Sequence, residues 1–181
     1  MRVVAGKAKG MQLKTPNGML TRPTTDRVKE ALFSIIHFDL PGATVLDLFA
    51  GTGQLGIEAL SRGACKAVFV DAQEAACKLV KENLSHTGML DQAKVVRSDY
   101  QKFLLNCKEK FDIILLDPPY SEVFLENSLK MITEIDILQS GGIIATEYPF
   151  GKALPTEYFT SFSAKEYKYG KTVLTIFRKA D

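Results

Sequence analysis

Five short apolar runs, each carrying an acid at or near its end, constrain the fold more than any other feature. The runs are "ATVLDLF", "KAVFVD", "AKVVRSD", "FDIILLD" and "GGIIATEY". Stretches of helical length such as "EAACKLVKENLSHTG" separate them, and strands that alternate with helices predict an α/β fold with a doubly wound, mostly parallel sheet. A last pair of runs, "FSAKEYKYG" and "KTVLTIFRK", alternates around Gly170. This pair predicts a C-terminal antiparallel hairpin.

Two segments precede the first of these strands. "RVVAGKAKGMQLKTP" mixes apolar and basic residues around two glycines, which predicts a small hairpin or extended arm. "RPTTDRVKEALFSIIHF" places Thr24 or Thr25 as an N-cap before apolar residues at helical spacing. A chain of 181 residues has room for one domain. We therefore expect a single domain over 1–181, with a basic arm at 1–20, a leading helix at 21–40 and a core at 41–181.

Positive charge is concentrated at the start of the chain. The first thirty residues carry a local net charge of +5, although the whole chain carries only +2. Such a run of basic residues is either an ordinary solvated surface or a surface that binds a polyanion such as RNA. The candidate RNA-binding residues are Arg2, Lys7, Lys9, Lys14, Arg22 and Arg27.

Acidic residues recur where the predicted strands end: Asp47, Asp71, Asp99, Asp117 and Glu147. In open parallel sheets, ligands bind in the crevice at the carboxyl ends of the strands. A single acid there is often a helix cap or a turn residue. A row of them indicates a ligand rich in hydrogen-bond donors or positive charge, because a buried carboxylate is unfavourable without a partner.

A glycine-rich loop lies between the first two acids. In "DLFAGTGQLGIEAL", Gly51, Gly53 and Gly56 satisfy the G-x-G-x-x-G pattern of nucleotide-binding folds, and Asp71 follows at the distance of an acid that binds a ribose hydroxyl. A nicotinamide-dependent oxidoreductase shares this pattern. Asp47, inside the strand, suits a ligand with an ammonium group, whereas a pyrophosphate would prefer bare backbone amides. The loop therefore favours S-adenosylmethionine.

The fourth run ends in Asp117-Pro118-Pro119-Tyr120. Prolines stop a strand and free the preceding carbonyl groups from the sheet. A carboxylate and a carbonyl at this place can accept the two N–H groups of an exocyclic amine on a nucleobase, and Tyr120 can stack on the base. The tetrapeptide predicts an amine-binding catalytic motif of a methyltransferase.

Other kinds of site have little support in the sequence. The two histidines, His37 and His86, and the three widely spaced cysteines show no metal-ligand spacing, so we expect no metal and read the cysteines as reduced core thiols. No apolar run is typical of a signal peptide or a membrane span. We expect a cytoplasmic protein that does not contact membranes.

With these motifs together, nearly the whole chain resembles the bacterial small-subunit rRNA guanine-N2 methyltransferases, the RsmD family. "RPTTDRVKEALFSII" and "LDLFAGTGQLGIEALSRGA" are the specific segments, and "DPPY" and "YGKTVLTIF" are also similar. The resemblance implies a Rossmann-like class I methyltransferase with a seven-stranded sheet and S-adenosylmethionine as cofactor. Gln54 departs from the small residue expected in the loop.

The resemblance also implies site residues and a substrate. The substrate is the N2 amine of a guanine in 16S rRNA, within an assembling or assembled 30S particle, and we expect the enzyme to act as a monomer. Asp71 would bind the ribose, Asp99 would lie near the adenine, and Asp117, Pro118, Pro119 and Tyr120 form the catalytic motif. The cofactor-binding residues are Asp47, Phe49, Ala50, Gly51, Thr52, Gly53, Asp71 and Asp99.

Three alternatives stay open. D-P-P-Y also occurs in DNA adenine-N6 methyltransferases, although we expect a single domain, without a second one to read a duplex. If the chain were a nicotinamide-dependent oxidoreductase, D-P-P-Y and the basic arm would have no function. A non-catalytic RNA-binding module would explain the arm and leave the row of strand-end acids unexplained.

Overall fold

The computed structural model describes residues 1–16, 26–119, 122–151 and 159–181. Seven strands form one sheet in the order β3-β2-β1-β4-β5-β7-β6. The strands are β1 (Thr44–Asp47), β2 (Lys66–Asp71), β3 (Ala93–Arg97), β4 (Phe111–Leu116), β5 (Leu138–Pro149), β6 (Phe162–Tyr169) and β7 (Thr172–Lys179). The helices are α1 (Asp26–Ile35), α2 (Gln54–Ser61), α3 (Glu74–His86), α4 (Tyr100–Asn106) and α5 (Glu122–Ile135).

The first five strands pair in parallel, and β7 pairs antiparallel with both β5 and β6. This arrangement confirms the predicted α/β class, the mostly parallel seven-stranded sheet and the C-terminal hairpin. After β3 the chain crosses to the other side of β1 to form β4, so the topological switch point lies between β1 and β4. Ligands bind at such points in open α/β sheets.

The core lies in two layers, because side chains alternate between the faces of each strand. One layer packs Val45 and Leu115 against α1, α2 and α3. The other packs Leu46 and Ile114 against α4 and α5. The near-continuous apolar runs of the central strands follow from burial of both faces.

Some boundaries and environments differ from the sequence predictions. Strand β1 ends at Asp47, two residues before the predicted run ends, because Leu48 and Phe49 already begin the loop. The backbone turns into a 3-10 helix at His37–Asp39. Cys65 is exposed, which corrects its assignment to the core; Cys77 is buried and Cys107 half-buried. Thr24 and Thr25, the proposed caps of α1, lie outside the described residues.

The start of the chain folds as the predicted hairpin. Arg2 and Gln12 form an antiparallel bridge, and Val3 N donates to Met11 O at 3.0 Å. Val3, Ala8 and Leu13 are at most 5% exposed. The segment is therefore packed on the core along its length, and it is not a free arm. No helix in the described ranges has both the length and the apolar content that crossing a bilayer requires.

Candidate active site at the β1–β4 switch point

Three acids meet where β1, β2 and β4 end. Asp47 lies beside Phe69 of β2 and Leu115 of β4 in the sheet register. Burial, together with the smaller effect of the negative charges of Asp117 and Asp71, raises the pKa of Asp47 to about 7, and the hydrogen bond from Gly56 N opposes this rise. Three of the five acids predicted from the sequence, Asp47, Asp71 and Asp117, therefore share one electrostatic environment.

Asp47 is the most constrained of these acids. Its side chain is 1% exposed, and its Oδ2 accepts a hydrogen bond from Gly56 N at 3.0 Å. Its Oδ1 is buried and has no hydrogen-bond partner among the described residues. A buried carboxylate oxygen without a donor is unfavourable unless a ligand supplies one. Asp47 is therefore suited to receive a positively charged donor.

Asp71 fixes the glycine-rich loop. Its Oδ2 accepts from Gly51 N at 2.9 Å, and its Oδ1 accepts from Gln73 N at 2.9 Å. Gly51 and Gly53 both have positive φ, 54° and 80°, and Gly53 N donates to Ala50 O to close the turn. The half-buried carboxylate keeps lone pairs for a ligand hydroxyl at the end of β2, where a ribose is bound in related nucleotide sites.

Replacing Asp71 by Ala is expected to weaken cofactor binding by about 10-fold or more, because a charged acceptor for a hydroxyl is lost. Turnover at saturating cofactor should change much less. Calorimetric titration with S-adenosylhomocysteine measures the first quantity and steady-state kinetics the second. Glu74→Ala is the matched control, since Glu74 is exposed nearby and pairs only on the surface with Arg97 at 2.8 Å. A change in turnover alone would show the ribose assignment to be wrong.

An aromatic cluster flanks this site. Phe49 follows β1, Tyr100 begins α4 and Phe124 lies in the first turn of α5. The ring of Tyr100 lies 5.3 Å from that of Phe49 and 5.6 Å from that of Phe124. Sequence analysis selected only Phe49. Tyr100 directly follows the strand-end acid Asp99, and this position was the signal that could have found it; Phe124, seven residues after Asp117, has no such signal.

The remaining predicted cofactor residues lie on the same edge of the sheet. Ala50 and Thr52 are buried in the loop, and Ala50 N donates to Val70 O of β2 at 2.9 Å. Asp99 caps α4, where its Oδ1 accepts from Gln101 N at 2.9 Å. Gln54 begins α2, and its Oε1 is buried without a partner among the described residues. The departure at Gln54 therefore adds a second unsatisfied oxygen beside the loop.

The predicted catalytic motif directly follows β4. Asp117 and Pro118 are half-buried, and Pro119 is exposed. Because Leu116 pairs with Thr146 of β5, the motif leaves the sheet between β1 and β5, over the switch point. Tyr120 lies outside the described residues.

The structure places the predicted RNA-binding residues in different environments. Arg2 pairs with Asp26 at 3.1 Å, Lys7 donates to Gln92, and Lys14 pairs with Glu82 at 2.9 Å. Lys9 and Arg27 are exposed. Arg22 lies outside the described residues. RNA binding by this set stays a prediction. No group of three or more potential metal ligands occurs within the described ranges.

Comparison with known proteins identifies the family. The family described as conserved hypothetical protein 95 matches residues 1–178. The ribosomal RNA small subunit methyltransferase D of Escherichia coli (strain K12) is 34% identical over 156 residues, which are 86% of this chain and 78% of that protein. The chain belongs to the RsmD family. The RsmD resemblance predicted from the sequence is thereby confirmed.

Further relatives agree with the RsmD assignment. YlbH of Bacillus subtilis (strain 168) is 40% identical over 182 residues, 99% of each chain. The solved structure of yhhF from Escherichia coli superimposes with a TM-score of 0.87 at 28% identity, covering 99% of this chain and 98% of that one. The fold is also that of an RNA methyltransferase from Salinibacter ruber in complex with S-adenosyl-L-homocysteine, with a TM-score of 0.68 at 14% identity, over 88% and 94% of the two chains.

Proposed function

We propose that this RsmD-family chain transfers a methyl group from S-adenosylmethionine to the N2 amine of a guanine in small-subunit ribosomal RNA. One observation carries the proposal. A fully buried carboxylate, Asp47, has an unpartnered oxygen at the switch point where Asp117 and Pro118 leave the neighbouring strand. These positions support an acceptor for the ammonium group of the cofactor beside a set of acceptors for the substrate amine.

The residues present fit S-adenosylmethionine. Asp47 Oδ1 would accept from the ammonium group, the loop over 51–53 would lie against the nucleoside, and Asp71 would accept from the ribose. Asp99 at the end of β3 would lie near the adenine, beside the ring of Tyr100. A dinucleotide would bring a pyrophosphate toward Asp47, and like charges would repel. The carboxylate thus favours the sulfonium cofactor over a nicotinamide cofactor.

The chain contributes orientation and charge stabilisation to the reaction. When bound, S-adenosylmethionine supplies a methyl group whose bonding electron pair stays on sulfur. An exocyclic amine is a weak nucleophile because its lone pair is delocalised into the ring. The Asp117 carboxylate and the Pro118 carbonyl would accept its two N–H groups and direct the lone pair toward the methyl carbon. As positive charge develops on nitrogen the same acceptors stabilise it, and the released proton can pass to Asp117 or to water.

RNA is favoured over duplex DNA as the substrate. An amine in a duplex must be flipped out at a cost of a few kcal/mol, whereas a guanine in an rRNA loop is already accessible. The name of the Escherichia coli relative is that of an rRNA small subunit enzyme. Basic residues of the N-terminal hairpin would hold phosphates without reading bases, so the folded RNA of a 30S particle would select the nucleotide. This substrate implies a cytoplasmic enzyme, which we expect to act as a monomer.

Nucleoside analysis tests the substrate. The chain is incubated with methyl-labelled S-adenosylmethionine and with 30S particles, naked 16S rRNA or duplex DNA, and the product is digested for mass spectrometry. N2-methylguanosine from RNA is expected, with more label on 30S particles than on naked RNA. N6-methyladenosine or N4-methylcytidine would overturn the guanine assignment while sparing the D-P-P-Y chemistry. Label on DNA alone would overturn the RNA assignment.

A further inference from the structure

The N-terminal hairpin, residues 1–14, is fastened to helix α2. Its turn approaches so closely that a Cβ atom added at Gly6 would lie 1.9 Å from Ser61 O, and Lys7 N donates to Ser61 O at 2.8 Å. Such an approach is possible only for glycine. The Ser61 hydroxyl completes the contact, because it accepts from Ala8 N at 3.0 Å and donates to Ala5 O at 2.6 Å.

A buried charge network holds the first strand of the hairpin, at Val4 and Ala5. The Glu58 carboxylate is fully buried and accepts from Val4 N at 2.8 Å and from Ala5 N at 2.9 Å. Arg62 Nε lies 2.8 Å from Glu58 Oε1, and Nζ of the fully buried Lys29 lies 3.8 Å from Glu58 Oε2. Removing one partner from a buried charge network of this kind is destabilising, because it leaves a buried charge without compensation. The hairpin is therefore a fixed part of the domain.

Asn83 of α3 connects the hairpin to the glycine-rich loop. Its side chain is fully buried. Its Oδ1 accepts from Lys14 N at 2.8 Å, and its Nδ2 donates both to Lys14 O at 3.1 Å and to Thr52 O at 2.9 Å. Both amide protons are thus used, one on the hairpin and one on the loop. Thr52 lies between Gly51 and Gly53, the residues assigned above to cofactor binding.

The other end of the hairpin reaches the same residue. Thr52 Oγ1 donates to Met1 Sδ at 3.3 Å, and Met1 O accepts from Leu13 N at 2.9 Å. Both strands of the hairpin therefore end on Thr52, one directly and one through Asn83. A loop built on two glycines has considerable backbone freedom, so these contacts restrict its conformation.

We propose that Asn83 is a positioning residue that couples the N-terminal hairpin to the cofactor loop. The hairpin then stabilises the loop conformation that binds S-adenosylmethionine, and the bound cofactor stabilises the docked hairpin to the same extent, because such coupling is reciprocal. The inference rests on the proposed function, since it takes the 51–53 loop as the cofactor site. It assigns to the basic hairpin a second role, besides any contact with RNA.

The first test uses the unmodified chain. Hydrogen exchange of the hairpin amides is measured with and without S-adenosylhomocysteine, with the Lys14 amide as the reporter because its acceptor is Asn83 Oδ1. We expect exchange at residues 11–14 to slow by about 5-fold or more on ligand binding, within the usual range of coupling between sites. Unchanged hairpin exchange at saturating ligand would overturn the coupling. This measurement does not depend on whether any variant folds.

The second test compares Asn83→Ala with Thr87→Val. Thr87 is also buried and caps the C-terminus of α3, one turn after Asn83, and its hydroxyl donates to backbone carbonyls of that helix, Asn83 O and Leu84 O. Asn83→Ala is expected to raise the KM for S-adenosylmethionine and the Kd for S-adenosylhomocysteine by about 5-fold or more, with kcat at saturation nearly unchanged. Thr87→Val should leave both constants within about 2-fold of the original chain, and denaturant unfolding of the two variants measures the loss of stability that each substitution causes.

The outcomes separate this inference from the proposed function. Equal affinities in the original chain and a folded Asn83→Ala variant would overturn the positioning role alone. An equal rise in both variants would mean that Asn83 acts only through stability, which would also overturn it. Failure of the original chain itself to bind S-adenosylhomocysteine would instead overturn the proposed function.

Discussion

Asp117→Ala is expected to lower turnover by about 100-fold or more, because the lost carboxylate accepts from the amine mainly in the transition state. Cofactor affinity should hardly change, since the role proposed for Asp117 is to accept from the amine and not to bind the nucleoside. The comparison requires kcat with 30S particles at saturating cofactor and, separately, the Kd for S-adenosylhomocysteine. Removing one negative charge near Asp47 should also lower the pKa of that carboxyl, because Asp117 contributes to raising it.

Asp117→Asn is the informative companion variant. Its amide keeps one oxygen acceptor and nearly the same shape, so it should retain more turnover than the alanine variant while losing the charge that stabilises the developing cation. Asp112→Asn is a control on the same strand, because Asp112 lies at the opposite end of β4 and accepts from Thr44 N at 2.8 Å. Turnover near the original level in Asp117→Ala would rule out the proposed mechanism.

Asp47→Asn is expected to lower cofactor affinity by about 10- to 100-fold, because the buried group proposed to accept from the ammonium group loses its charge. Affinity of the original chain should also fall as the pH decreases below about 7, where the Asp47 carboxyl of the free chain becomes protonated. This part of the pH dependence should be absent from the variant. Titrations of both chains with S-adenosylhomocysteine between pH 5.5 and 8 measure the difference in the pH dependence of their affinities.

The same substitution should stabilise the chain without ligand. A carboxyl whose pKa is raised by folding destabilises the folded state as the pH rises from its unfolded value through the raised one. Asp47→Asn should therefore increase the free energy of unfolding at pH 8 by at least about 1 kcal/mol and have much less effect at pH 4. Denaturant unfolding at the two values of pH measures this. A variant that is less stable at pH 8 and binds cofactor normally would show that Asp47 serves packing alone.

The order of the elements could be predicted from the sequence because it depends on local pattern. Central strands buried on both faces read as apolar runs, and Gly170 between two alternating runs indicates the final hairpin. The acids at the strand ends were identified for the same reason, because a parallel sheet brings all such ends to one edge. The described residues leave out 17–25, a range that contains Arg22 and the proposed caps of α1. They also leave out Tyr120 of the catalytic motif. Their proposed roles rest on the sequence.

Charge pattern was a weaker guide to position. The excess of basic residues at 1–30 predicted an arm, yet Lys29 from that count is fully buried against Glu58. The ammonium groups of Lys7 and Lys14 donate to side chains of the same domain, those of Gln92 and Glu82. A count of charges along the chain records neither burial nor partners, because both depend on residues distant in sequence. Val3, Ala8 and Leu13 alternate with these lysines and pack on the core.

The fold class, the strand-end acids, the glycine-rich loop and the RsmD motifs could be predicted without coordinates, because each depends on residues that are neighbours along the chain. Three findings required the folded structure: Asp47 is buried with one oxygen that has no partner among the described residues, its carboxyl interacts with the charges of Asp71 and Asp117, and Asn83 joins Lys14 to Thr52. Asn83 stands in an ordinary amphipathic helix and has no local signature. Its two partner residues, Thr52 and Lys14, lie 31 and 69 residues away along the chain. Contacts over such separations form only when the sheet brings the elements together, because burial and hydrogen-bond geometry are properties of the packed chain.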